Sequence, residues 1–388
     1  MSEPWGLYVH VPWCRRRCPY CAFYVEADRD VPWDAYVDAL LAEYALRRPT
    51  LPEPASTVFL GGGTPSRMPP TALSRLLAGL SRRDDAEVSA ECNPEDCTDD
   101  WLQGAMEAGV NRVSLGMQTF QPDFARLLNR NSSVHEAQQT AARVAAAGLR
   151  SWSLDLIFAL PDQTLADLER DLDAIEASGV PHVALYGLTY EPGTAFTRAR
   201  DAGRFTEASE DLWRAMYERI VERLRGMGLE RYEVSNFARP GHRSQHNQIY
   251  WNDQPYLGLG PSAHGFLPDG RRYHNKPDAG AYLRGGDPTE LIEAPSPEQA
   301  AVDALVSGLR GCEGLDLHRL GQRTGLAPTT SAVERLCQEG LAQLIGERLS
   351  LTDAGYPVCD AIASHLADRL EPTATAGSTA LRGYGRTP

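Results

Sequence analysis

The stretch YVHVPWCRRRCPYCAFY, residues 8–24, decides how this chain folds and what chemistry it carries. Leu7–Val11 is a short apolar, β-branched run of the kind that forms a buried strand. Three thiols, Cys14, Cys18 and Cys21, follow within eight residues on the loop that leaves it. The same arrangement of a strand run followed by unusual residues recurs downstream. Thr57–Leu60 leads into Gly61-Gly-Gly-Thr64-Pro65, and Glu87–Glu91 into Cys92-Asn-Pro-Glu95. Arg112–Leu115 leads into Gly116-Met-Gln118-Thr-Phe120, and Val183–Leu188 into Thr189-Tyr-Glu-Pro-Gly193. Ser153–Ile157 carries Asp155 itself. Amphipathic patterns at 33–48, 72–83, 134–148 and 164–179 lie between the runs. Such alternation specifies βαβ units and a parallel sheet. Six units are too few for a closed eight-stranded barrel. The clustering of unusual residues at the C-terminal ends of strands is the active face of a barrel-type fold. The fold class expected is therefore α/β, a partial (β/α)6 TIM-type barrel.

Composition narrows the chemistry. The chain has 388 residues, 42% hydrophobic and 23% charged, with a net charge of −14. Its acidity argues against a nucleic-acid partner, because phosphate backbones reward basic surfaces. Lys276 is its only lysine, so almost all its positive charge is arginine. The N-terminal residues show no basic then apolar pattern of a secretory signal, and no run has the length of a membrane span. A cytoplasmic location follows as the expectation. Reduced thiols are the rule there, so clustered cysteines read as metal ligands or reactive groups. Zinc sites usually take four ligands in separated pairs, and no second pair stands near the triplet. Iron–sulfur clusters are held by thiolates. Three thiolates on a four-iron cube leave one iron open for a chelating ligand. Cys92, Cys97, Cys312, Cys337 and Cys359 read as packing residues.

The spacing C-x3-C-x2-C on the first strand's loop, with an aromatic residue before the last cysteine, resembles the radical S-adenosylmethionine (SAM) superfamily. Further matches are VFLGGGTPS, ECNPE, GVNRVSLGMQTFQ, LDLIFALPDQT, YEPGTAF, YEVSNFARPG, HNQIYW and GLGPSAHGF. Together they resemble the anaerobic coproporphyrinogen-III oxidase family and, within it, the HemW-like haem chaperone subfamily, from about Tyr8 through Phe266. The resemblance implies a [4Fe-4S] cluster on Cys14, Cys18 and Cys21, and S-adenosyl-L-methionine at the open iron. In that family the reduced cluster cleaves SAM to a 5′-deoxyadenosyl radical. By motif position, Tyr8, Gly62, Gly63, Thr64, Glu91, Gln118, Arg130 and Asp155 would contact SAM. The residue types suit the ligand: carboxylates for a sulfonium, an amine and ribose hydroxyls, and an arginine for a carboxylate. Glycine lets backbone approach a ligand closely.

Three features separate chaperone from dehydrogenase. Phe23 stands where the coproporphyrinogen dehydrogenases carry a further cysteine. Thirteen residues precede Cys14, where those enzymes have a longer segment. His246-Asn-Gln-Ile-Tyr250-Trp251 resembles the HNxxYW motif of the chaperones. Imidazole is a common haem-iron ligand, and Tyr250 and Trp251 offer flat apolar surface. His246, Tyr250, Trp251 and His264 are the haem candidates; the competing reading of His246 is a hydrogen-bonded structural histidine. Leu128-Asn-Arg130-Asn131-Ser132 and Ala159-Leu-Pro-Asp162-Gln163-Thr164 depart from the chaperone pattern. A coproporphyrinogen III oxidase, and a HemN-like radical SAM methyltransferase or other natural-product enzyme, therefore stay open as alternatives, as does whether the protein is an enzyme. The implied partners are haem, a haem-acceptor protein, an electron donor for the cluster and, as one option, a second copy of the chain. Arg15–Arg17 would place positive charge beside the cluster and favour its reduced form. The expected domains are the barrel at 1–230, a barrel-capping segment with HNxxYW at 231–290, a C-terminal helical or winged-helix-like domain at 291–370, and a disordered tail at 371–388.

Overall fold

Each apolar run becomes a strand of one sheet. A computed structural model describes residues 3–27, 30–51, 53–130 and 132–373. Strands β1 (Gly6–Val11), β2 (Ala55–Gly62), β3 (Arg82–Cys92), β4 (Arg112–Gln118), β5 (Ser151–Phe158) and β6 (His182–Gly187) lie side by side in chain order. All five pairings between them are parallel. The linking helices are α1 (Trp33–Arg47), α2 (Pro70–Gly79), α3 (Asp99–Glu107), α4 (Pro122–Leu127), α5 (Val134–Ala146) and α6 (Leu165–Ser178), followed by α7 (Ala195–Asp201) and α8 (Glu210–Gly226). The expected partial barrel is thus present. Five of the six run longer than their apolar cores because flanking residues, such as Arg82–Ala86 in β3 and Gly116–Gln118 in β4, also join them. Helix α2 ends earlier than its periodicity suggests, since Arg82 and Arg83 enter β3. Helix α8 starts at Glu210 because the Ser209 hydroxyl accepts from the Leu212 amide and caps it.

Residues 231–290 do not form a separate cap. Strands β7 (Glu230–Arg231) and β8 (Asn236–Ala238) pair antiparallel beyond β6. After α9 (Gln245–Trp251), β9 (Tyr256–Leu259) runs parallel to β1 as a seventh parallel strand. Strands β10 (His264–Phe266), β11 (Arg272–Asn275) and β12 (Thr289–Glu293), with α10 (Ala279–Leu283), extend that edge. Sequence periodicity missed β9 because four residues are too short to show a pattern.

Contacts divide the chain into two units. The first holds residues 1–231, 235–249 and 254–292; the second holds 232–234, 250–253 and 293–388. Helices α11 (Pro297–Arg310), α12 (Leu317–Thr324), α13 (Thr330–Gln338) and α14 (Cys359–Ala367) build the second unit around Ala301, Ala304 and Leu320. Its strands are β13 (Leu315–Asp316), β14 (Leu326–Pro328), β15 (Ala342–Ile345), β16 (Arg348–Leu351) and β17 (Leu370–Pro372). The hairpin β15–β16 follows α13 as a wing. Glu371 and Pro372, the start of the expected disordered tail, pair with β14 instead; residues 374–388 lie outside the described residues, as does Asn131.

Candidate functional site

The loop after β1 carries the three thiols, and its neighbours hold it in place. The Arg15 guanidinium pairs with Asp96 at 2.5 Å, and that carboxylate is almost fully buried. Arg67 donates to the Cys14 carbonyl at 2.9 Å, and the Thr64 hydroxyl donates to the Cys14 sulfur at 3.5 Å. Burial pushes the Cys14 thiol up to about 11, and raises Cys21 as well. A cationic metal centre would reverse that preference by binding the thiolates. Among the described residues, no three His, Cys, Asp or Glu side chains gather round one point as a single-ion site requires. A four-iron cube instead takes each thiolate on a different iron, which suits three thiols spread along a loop.

The thiols open onto a cavity of about 500 Å³ at the C-terminal ends of the barrel strands. Gly62, Gly63, Thr64, Glu91, Gln118, Arg130 and Asp155 all line it with Cys14, Cys18 and Cys21. Phe23, 65% exposed, stands at its wall. The strands explain the convergence: residues two apart on β3, β4 and β5 face inward together. Glu91 accepts from the Gly62 amide at 3.0 Å. Burial, with the nearby Asp155 charge, pushes Glu91 up to about 8. Asp155 accepts from Ser114 at 2.8 Å and Ser153 at 2.9 Å; burial still raises it to about 6. A cation brought between these two buried carboxyls would favour their ionised forms. Gly62 has φ +104°, and a Cβ there would lie 2.5 Å from the His10 ring, so only glycine fits. Gln118 follows a bulge in β4 and has φ +67°, an uncommon conformation that aims it into the cavity.

Sequence reading missed Asn93. Its amide donates to Thr64 at 3.0 Å and its oxygen accepts from Arg130 at 2.7 Å. Arg130 also donates to the Gly116 carbonyl at 2.7 Å and approaches the Cys18 sulfur at 3.9 Å. Asn93 thus ties the glycine loop to the arginine; its place inside ECNPE was the available signal. Tyr8 departs from expectation, because it does not line the cavity. Its ring stacks on Phe59 and its hydroxyl bonds His10 Nδ1 at 2.9 Å, deeper in the barrel.

The haem candidates separate. His246 is fully buried at the N-terminal end of the barrel, where α9 closes it. Glu87 Oε1 accepts from the backbone amides of Gln245 and His246 at 2.9 and 3.2 Å. His246 Nδ1 bonds the Thr57 hydroxyl at 2.7 Å, and its ring stacks on Phe59 with centroids 5.2 Å apart. Burial lowers its pKa to about 3. The expected presentation of His246 to a macrocycle is absent: the side chain packs inward, away from the thiols. Tyr250 and Trp251 fall in the second unit, where Trp251 lines a small pocket with Asp253, Arg319 and Arg323. His264 lies exposed on β10. Cys92 and Cys97 are buried against each other, as packing thiols should be. Cys312 sits half-buried in a turn rather than in a helix.

The family model of the radical SAM superfamily matches residues 8–175, and that of the HemN C-terminal domain matches 296–358. The chain is 36% identical over 377 residues to the heme chaperone HemW of Mycobacterium tuberculosis, covering 93% of this chain and 94% of that protein. It is 31% identical over 363 residues to heme chaperone HemW of Bacillus subtilis, covering 90% and 95%. For heme chaperone HemW of Escherichia coli the identity is 38% over 281 residues, covering 69% and 72%. The solved structure of the radical SAM enzyme coproporphyrinogen III oxidase (HemN) from Escherichia coli superposes with TM-score 0.79. Identity there is 22%, covering 94% of this chain and 90% of that one, a likeness of fold. No helix among the described residues is long and apolar enough to cross a membrane.

Proposed function

This chain belongs to the HemW family of radical SAM proteins, and from that premise we propose that it is a haem chaperone on an iron–sulfur, SAM-binding scaffold. The observation that carries the reading is a match at 36% identity that spans nearly the whole of this chain and of a HemW protein. Cys14, Cys18 and Cys21 are the residues to hold a [4Fe-4S] cluster, with S-adenosyl-L-methionine in the cavity beside them. When bound, the cluster supplies an electron and one open iron position. The chain's own residues do the positioning. Glu91 and Asp155 offer their carboxylates to the ligand's cationic groups. Arg130, steadied by Asn93 and the Gly116 carbonyl, points a guanidinium at a carboxylate. Gly62 and Gly63 let the backbone close on the ligand. Haem is the cargo, taken up in the cytoplasm and passed to an acceptor protein; a redox protein reduces the cluster. Phe23 at the cavity wall, in place of a thiol, suits a chaperone better than a coproporphyrinogen dehydrogenase.

Two parallel assays on the anaerobically reconstituted full chain test this. With dithionite, SAM and coproporphyrinogen III, no protoporphyrinogen forms. Loaded with haem and mixed with an apo-globin, the protein gives up its haem. Protoporphyrinogen formed with stoichiometric 5′-deoxyadenosine would overturn the reading in favour of an oxidase.

A further inference from the structure

The burial of His246 leaves the haem reading without an accessible imidazole from the HNQIYW motif. Another part of the same unit supplies one. Strands β10 and β11 pair antiparallel with His264 opposite His274 and Phe266 opposite Arg272. Residues two apart on a strand share a face, so all four side chains stand together. The imidazole centroids are 5.2 Å apart, and the Arg272 guanidinium lies 5.1 Å over the Phe266 ring. His274 Nε2 is 3.0 Å from the Glu290 carboxylate on β12. Ile292, two residues on, is 53% exposed.

We infer that this hairpin face is the haem site and that His264 is the iron ligand. The inference rests on the chaperone reading and locates its cargo. A porphyrin supplies four of the iron's ligands, so the protein needs only one or two. That explains how a haem site coexists with the lack of a three-ligand metal group among the described residues. His264 is exposed on a strand, a rigid support for an axial ligand. His274, held by Glu290, stands beside the His264 ring and restricts the orientations open to it. Phe266 and Ile292 offer apolar surface to the macrocycle. Arg272 offers a guanidinium to a propionate. His246, by contrast, reaches haem only if α9 leaves the barrel end and breaks its bonds to Glu87 and Thr57.

Haem titration of the full chain, followed by the Soret band, decides between these imidazoles. The wild type is compared with His264→Ala and His246→Ala, each checked for folding by circular dichroism. The expected result is that His264→Ala changes the band position and weakens haem binding about tenfold or more. Free imidazole restores the wild-type spectrum to that variant. His246→Ala keeps the wild-type Soret position in its folded fraction while melting at lower temperature. His264→Met, which keeps a weaker iron ligand, gives an altered axial spectrum and covers the case in which the alanine variant does not fold. A wild type that takes haem, with His264→Ala and His264→Met unchanged from it, would overturn the inference alone. A wild type that takes no haem would overturn the chaperone reading and this site with it.

Discussion

Glu91 is where the cavity's chemistry is most directly readable. Burial and the Asp155 charge push its carboxyl up to about 8 from an ordinary 4.5, so without a bound cation the side chain carries a proton at neutral pH. A cationic ligand needs the carboxylate. SAM affinity should therefore rise about tenfold per pH unit from pH 6 and level off near pH 8. Glu91→Gln should bind SAM at least about tenfold more weakly at pH 8 and lose most of that slope, measured by anaerobic calorimetry. The stability effect has the opposite sense. A carboxyl with a raised folded pKa stabilises the fold fully below its unfolded pKa, and that contribution is lost as pH climbs from about 4.5 to 8. The ligand-free Glu91→Gln chain should then melt higher than wild type at pH 8 and match it at pH 4. Glu91 itself was legible in the sequence, because ECNPE closes a strand. Its protonation was not, since it depends on burial and on Asp155 across the barrel.

The loops around the site are each pinned by a few buried contacts. Gly62→Ala places a methyl into the His10 ring at a φ of +104°. It should cut SAM affinity by about tenfold or more while iron content stays near wild type, since Cys14, Cys18 and Cys21 are untouched. Arg15→Ala strips the buried Asp96 carboxylate of its cation. Leaving such a group unpaired costs about 1–3 kcal/mol, so the cluster loop should loosen and reconstituted iron per chain should fall. An Arg15→Lys protein should recover most of it. At this scale the sequence told strands and helices well where a run was long, as in β5 and α6. It failed at β9, β10 and β11, three or four residues each, whose pairing is set by distant partners. It also failed at α9. Nothing local in HNQIYW distinguishes a ligand histidine from one bonded to Thr57 and stacked on Phe59; only the barrel's closure decides that.

At the scale of the whole molecule, one unit carries both the thiol-lined cavity and the β10–β11 face; His10, whose ring abuts Gly62 of the cavity wall, also feels the His264 charge. The 36% match to a HemW protein spans both units, so the second unit belongs to the family pattern as much as the barrel does. The measurement that tests the central claim most directly is a Soret titration of the wild-type, cluster-reconstituted chain with haem. The account predicts a shifted Soret band that saturates at about one haem per chain. A band that grows without saturation and keeps the position of free haem would contradict it.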